Sequence, residues 1–116
     1  MRNYKNLKIW EQGIDLVKLI YVLAEQLPET EKFGLKSQIT RAAISIPSNI
    51  AEGTSKSSNK HFNKYIEDSL GSSFEWETQL IVAFNQQYIS DERFEFLEQK
   101  IQQLQKMISR FQDGLK

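Results

Sequence analysis

Cysteine is absent from this 116-residue chain, and histidine occurs once, as His61. No disulfide framework or thiolate metal site can form, and a histidine-based zinc site within one subunit lacks its ligands. No apolar run approaches the roughly 20 residues that a membrane span needs. Met1-Arg-Asn-Tyr-Lys-Asn6 also lacks the apolar stretch of a signal peptide. A cytoplasmic protein without membrane association is expected. Gly53-Thr-Ser-Lys56 does not have the glycine spacing of a phosphate-cradling loop, and Ser45 and Ser48 have no histidine placed to activate them. These absences predict a protein that is not an enzyme, with no cofactor, no metal and no small-molecule substrate. Net charge is missing too, because fifteen basic residues cancel fifteen acidic ones.

What is present is helical periodicity, organised around Gln38–Gly53. Ile39, Ala42, Ala43, Ile46 and Ile50 recur at helical spacing and form one apolar face. Gln38, Arg41, Ser45, Ser48, Asn49 and Glu52 form a second, hydrogen-bonding face. Pro47 sits inside this helix, where it cannot donate to Ala43, so a bend is expected there. Gly53 is placed to end the helix as a C′ residue.

The rest of the chain follows the same period. Asn6 is a plausible N-cap for a first helix carrying Ile9, Trp10, Gly13, Leu16, Val17, Ile20 and Ala24, which Leu27-Pro28 ends. A third helix carries Phe62, Ile66, Leu70, Ser73, Leu80, Phe84 and Tyr88. The fourth has an a/d seam through Phe94, Leu97, Ile101, Leu104, Ile108, Phe111 and Leu115. Helices over about 7–27, 30–53, 58–88 and 90–114, joined by short loops, predict one all-α domain. Its architecture is an antiparallel up-down-up-down four-helix bundle with a proline-kinked second helix.

A turn centred near Lys56 sets Arg41 level with Gly71 and about one turn from Glu75. A buried Arg41–Glu75 ion pair is expected, with Ser45 and Asn49 lining it and Glu52 as a further structural polar group opposite Lys60. The same register brings Gly13 close to Ser45 and sets Phe84 beside Phe94. Apolar residues beyond one core, namely Leu19, Leu23 and Trp76, are candidate subunit contacts.

Several segments resemble the bacterial four-helix proteins encoded within 23S rRNA intervening sequences. They are Leu7-x-x-Trp10, Leu27-Pro28-x-x-Glu31, Phe33-Gly-Leu-x-x-Gln38, Arg41-Ala-Ala-x-Ser45-Ile-Pro-Ser-Asn-Ile-Ala-Glu-Gly53 and Gly71-Ser-x-x-Glu75. Together they cover most of the chain. Thr40 departs from the pattern, standing where the family usually carries a second arginine. The resemblance implies a four-helix bundle that forms a homopentamer and associates with ribosomes or rRNA. A related branch is similar to the accessory proteins of diversity-generating retroelements. That branch is strongly basic, so its reverse-transcriptase partnership is not carried over to this neutral chain.

The neutral total hides an asymmetry. Residues 1–64 hold ten Lys/Arg against six Asp/Glu, and residues 65–116 hold five against nine. In an up-down-up-down path, Arg2, Lys5, Lys8, Lys56, Lys60 and Lys64 gather at one end, with Lys106, Arg110 and Lys116 beside them. This end is the candidate nucleic-acid site, and Tyr4 is available there to stack on a base. A protein-interaction scaffold is the alternative.

Overall fold

The computed structural model describes residues 3–116. Its four helices are α1 (Lys8–Glu25), α2 (Leu35–Gly53), α3 (Asn59–Asn85) and α4 (Asp91–Gly114), with 3-10 turns at Tyr4–Asn6 and Glu29–Glu31. No strand occurs among the described residues. Local chemistry sets the boundaries. Asn3 caps the first 3-10 turn, accepting from Lys5 N at 3.1 Å, so α1 begins without the Asn6 cap expected of it. Glu31 caps the start of α2, its Oε1 accepting from Leu35 N at 3.2 Å. That leaves Glu29–Glu31 as a separate turn, so α2 starts later than the periodicity suggested. At the other end of the hairpin, Gln87 adopts a left-handed φ of 64° and stops α3 before Tyr88. Ser58 and Ser90 then cap α3 and α4 through Oγ acceptors.

Each helix packs on its neighbours in chain order, and α4 closes back on α1. Pairings across the seams fix direction. Ile46 meets Ser69, whereas Gly53 meets Phe62, so α2 and α3 run antiparallel. Phe84 stacks on Phe94 at 4.3 Å and Phe62 meets Phe111 edge-on at 5.6 Å, which sets α3 against α4 in the same sense. The N-terminal 3-10 turn packs on α1 and α2. It therefore shares one pole with the serine-rich 54–58 turn and the C-terminus. Tyr88 marks the opposite pole, where its hydroxyl donates to Glu31 Oε2 at 3.0 Å. That bond raises the Tyr88 pKa above the usual phenol value, with burial and the carboxylate charge adding to it. The bond's contribution is intact below the free phenol's pKa of about 10 and is lost as pH rises through the elevated value.

Two close approaches explain residues that look costly in a helix. Pro47 is buried and faces Gly13 of α1, where an added Cβ would lie 3.3 Å from the Pro47 Cβ. The crossing thus falls at Pro47 rather than Ser45. α2 runs through Pro47 unbroken, and the buried Ser69 hydroxyl of α3 donates to the Ile46 carbonyl at 2.8 Å. Gly53 has no positive φ, so it is not the left-handed cap that its place in the sequence suggests. Glycine is needed there because an added Cβ would lie 2.7 Å from Phe62 Cδ1 and 2.9 Å from Tyr65 Cβ of α3. Gly53→Ala should therefore destabilise the fold by about 1–3 kcal/mol, the usual cost of overpacking. A denaturation midpoint equal to wild type would contradict this.

The core corrects two candidate subunit contacts. Trp76 and Leu23 are each 0% exposed within the single chain. Trp76 falls at i+3 from Ser73 and i−4 from Leu80, all buried, so its spacing points it inward. Leu23 joins Leu16 and Ile20 on the α1 core stripe in the same way. Leu19 is half-buried and lines a cleft of about 150 Å³ between α1 and α4, with Leu16, Leu104 and the Lys100 stem.

Candidate nucleic-acid interface

The pole shared by the first turn, the 54–58 turn and the C-terminus carries most of the basic side chains singled out from the sequence. Lys5 lies in the first 3-10 turn and Lys8 opens α1; both are exposed. Lys60 and Lys64 stand exposed on the first turns of α3, four residues apart and so on one helix face. Lys56 is half-buried, its ammonium 4.9 Å from the centre of the Tyr65 ring. This contact holds the lysine on the turn while leaving its charge unneutralised. Lys106 and Arg110 of α4 are exposed nearby, and Lys116 pairs with Asp113 at 3.7 Å. Arg2 lies outside the described residues.

Acidic groups thin this field without cancelling it. Glu11, Glu52 and Asp113 are exposed at or near the same pole. Among the described residues the only ion pair is Lys116–Asp113, so Lys5, Lys8, Lys56, Lys60 and Lys64 have no carboxylate partner within 4.0 Å. Exposed, unpaired ammonium groups on the rim of several helices can neutralise phosphates without ordering a pocket. Tyr4 is less free than expected, since its ring meets Trp10 edge-on at 5.3 Å. His61 is held at the start of α3, where its Nδ1 lies 3.1 Å from the capping Ser58 Oγ.

The polar face of α2 is arranged differently from the expectation. Five residues back along α2 and five forward along α3 from the Ile46–Ser69 contact, Arg41 lies level with Phe74 rather than Gly71. Arg41 and Glu75 are both exposed and line one shallow groove of about 330 Å³ with Gln38, Ala42 and Ser45, but no ion pair forms. Arg41 sits one position off the core stripe, so its guanidinium reaches water and avoids the desolvation that a buried pair would incur. Glu75 instead accepts from Gln79 Nε2 at 3.3 Å. Half-buried Ser45 and Asn49 bond within their own helix, to the Ala42 and Ser45 carbonyls at 2.8 and 2.9 Å. Glu52 is exposed, without an ion pair to Lys60. The expected buried polar cluster does not form: Arg41, Glu52 and Glu75 are exposed, and Ser45 and Asn49 are half-buried.

Phe33, part of the family-like segment Phe33–Gln38, was given no role of its own. It is 90% exposed, in the turn between the first two long helices. The available signal was its position beside Gly34 in a turn, off every helical stripe. Among the described residues, no group of three or more His, Cys, Asp or Glu is placed to hold a metal ion, and no helix is long and apolar enough to cross a membrane.

No curated protein matches the sequence. In fold, the chain is similar to the crystal structure of a protein of unknown function from the S23 ribosomal protein family of Bacteroides thetaiotaomicron. The two superpose with a TM-score of 0.83 at 23% identity, over 90% of this chain and 97% of that one. Residues 5–110 match the sequence pattern of 23S rRNA-intervening sequence proteins, nearly the full length of the bundle. The chain belongs to the 23S rRNA-intervening sequence protein family.

Proposed function

We propose that this protein is a non-catalytic, self-associating helical bundle that binds ribosomal RNA through its basic pole. The observation that carries this reading is the set of unpaired lysines, Lys5, Lys8, Lys56, Lys60 and Lys64, around one end of the bundle. Family membership supports rRNA as the partner, as does the S23 ribosomal description of the similar fold. The homopentamer implied by the family resemblance would set five such poles in a ring when the subunits lie parallel, multiplying the local field. Recognition of this kind is electrostatic, tolerant of sequence and steeply salt-dependent.

Filter binding with 23S rRNA fragments at low salt tests the reading. Retention that disappears on raising the salt supports it, and no retention at low salt removes it. The alternative, a protein-interaction scaffold, draws on the eight large apolar side chains left exposed among the described residues, Phe33 foremost.

A further inference from the structure

Among the described residues the exposed phenylalanines are Phe33, Phe74 and Phe96, and they differ in what lies over the ring. An ammonium stands 5.5 Å from the ring centre of Phe33 (Lys32) and of Phe96 (Lys100). Phe74 of α3 is 51% exposed, and no described cation or aromatic ring covers it. It opens onto a groove of about 360 Å³ between α3 and α4, lined also by Leu70, Gln102, Gln105, Lys106 and Ser109. Half-buried Leu70 packs against the core and gives the groove an apolar wall. Away from the serine-rich pole, Glu77 accepts from Gln102 Nε2 at 3.1 Å and from Gln105 Nε2 at 3.0 Å. These bonds hold both amides in place, while each keeps a second N–H and its carbonyl oxygen for another partner. Toward the pole lie Lys106 and, about one turn further along α4, Arg110, both exposed and without an ion pair.

From the pole outward the groove thus offers cations, a bare aromatic face and amides with donor and acceptor side by side. A nucleotide presents the matching series: a phosphate, then a flat base whose edge carries donors and acceptors. We propose that this groove holds an unpaired base of single-stranded RNA, stacked on Phe74. Its edge bonds to Gln102 and Gln105, and its phosphates rest on Lys106 and Arg110. Two carboxylates share this side of α3. Glu77 already accepts the two amides, and Glu67 accepts from Asn63 Nδ2 at 3.4 Å; neither pairs with Lys106 or Arg110. A neutral base meets Glu77 without the repulsion that a phosphate would feel there, which sets the base away from the pole and the phosphates toward it. A base enclosed in a duplex stack cannot reach the ring, so the site selects single strands. The inference rests on the RNA reading of the basic pole and adds to its phosphate contacts a place for the base.

The test is fluorescence anisotropy of the full chain with a labelled oligoadenylate of about ten nucleotides, and with the duplex it forms with its complement, over a salt series. Phe74→Ala weakens single-strand binding roughly 10-fold or more, as expected for the loss of one stacked base, and leaves duplex binding at the wild-type level. The slope of log K against log salt stays the same, because no phosphate contact is lost. Phe74→Trp keeps the single-strand affinity, and helical circular dichroism is unchanged in both variants because the ring lies outside the core. Lys106→Gln weakens single-strand binding and flattens the slope by about 1. Wild-type protein that binds neither RNA at low salt overturns the RNA reading, and this site with it. Single-strand binding that survives Phe74→Ala undiminished, or that falls equally with duplex binding, overturns the stacking site and leaves the basic pole standing. So does a Phe74→Ala variant whose sedimentation differs from wild type without RNA, which would make Phe74 a protein contact.

Discussion

Trp76→Ala is expected to lower the stability of the chain by about 3–5 kcal/mol, the range for deleting a buried aromatic and leaving a cavity. Stabilities of such domains are only about 5–15 kcal/mol, so a large share of the fold's margin would go. Trp76 is among the largest side chains fully enclosed by the bundle, packed with Ile39, Leu80, Leu97 and others in one core cluster. Its indole Nε1 is buried and finds no acceptor among the described residues. Burying an unpaired donor costs free energy, so Trp76→Phe, which removes that donor and keeps most of the ring, should cost much less than Trp76→Ala. Urea denaturation checks both, through midpoints compared at constant slope. If Trp76 were instead a subunit contact, Trp76→Ala would change the association constant and leave monomer unfolding near wild type.

The second large effect concerns the basic pole. Replacing Lys56, Lys60 and Lys64 together by glutamate changes three charges by two units each, six per copy. Lys60 and Lys64 are exposed and Lys56 lies on Tyr65 at the surface, so the fold should tolerate the change. Affinity for an rRNA fragment is expected to fall on the order of 100-fold at low salt, and the dependence of log K on log salt should flatten by about 2–3 as three phosphate contacts are lost. Lys18→Glu, on the exposed middle of α1, should change binding far less. Mobility shifts over a salt series separate these cases, and equal losses from Lys18→Glu and the triple variant would deny the pole any special role.

The helices and their order were legible because each carries an apolar stripe at a 3.6-residue period, and burial follows that stripe from Ile9 to Ile108. Short loops then permitted one chain path, and with it the pole where the lysines meet. Phe84 against Phe94 could be placed by counting from a turn, because a tight hairpin fixes register. The same counting failed for Arg41 and Glu75. The observed register sets Arg41 beside Glu75, but both stand at the exposed edge of their stripes, where charged groups resolve toward water rather than into a buried pair. Trp76 was misread for the converse reason: it was taken as surplus to one core and off the face of Ser73 and Leu80, but its spacing put it with them. Phe33 fell within the span expected of the second helix, but α2 begins only at Leu35, and exposure in the turn before it has no period by which to find it. Gly13 was readable as a place of close approach, whereas Gly53 was read as a left-handed cap, because the atoms that approach it depend on where Phe62 of the next helix comes to rest.

Lysine-reactivity footprinting of the full chain, free and bound to a 23S rRNA fragment, puts the proposed binding mode to its most immediate trial. Acylation should slow at Lys5, Lys8, Lys56, Lys60 and Lys64 when RNA is present, while Lys18, Lys32 and Lys36 react as they do in the free protein. Protection centred on Lys32 and Lys36, or no change at any lysine under conditions that retain the RNA, would contradict RNA binding at the serine-rich pole.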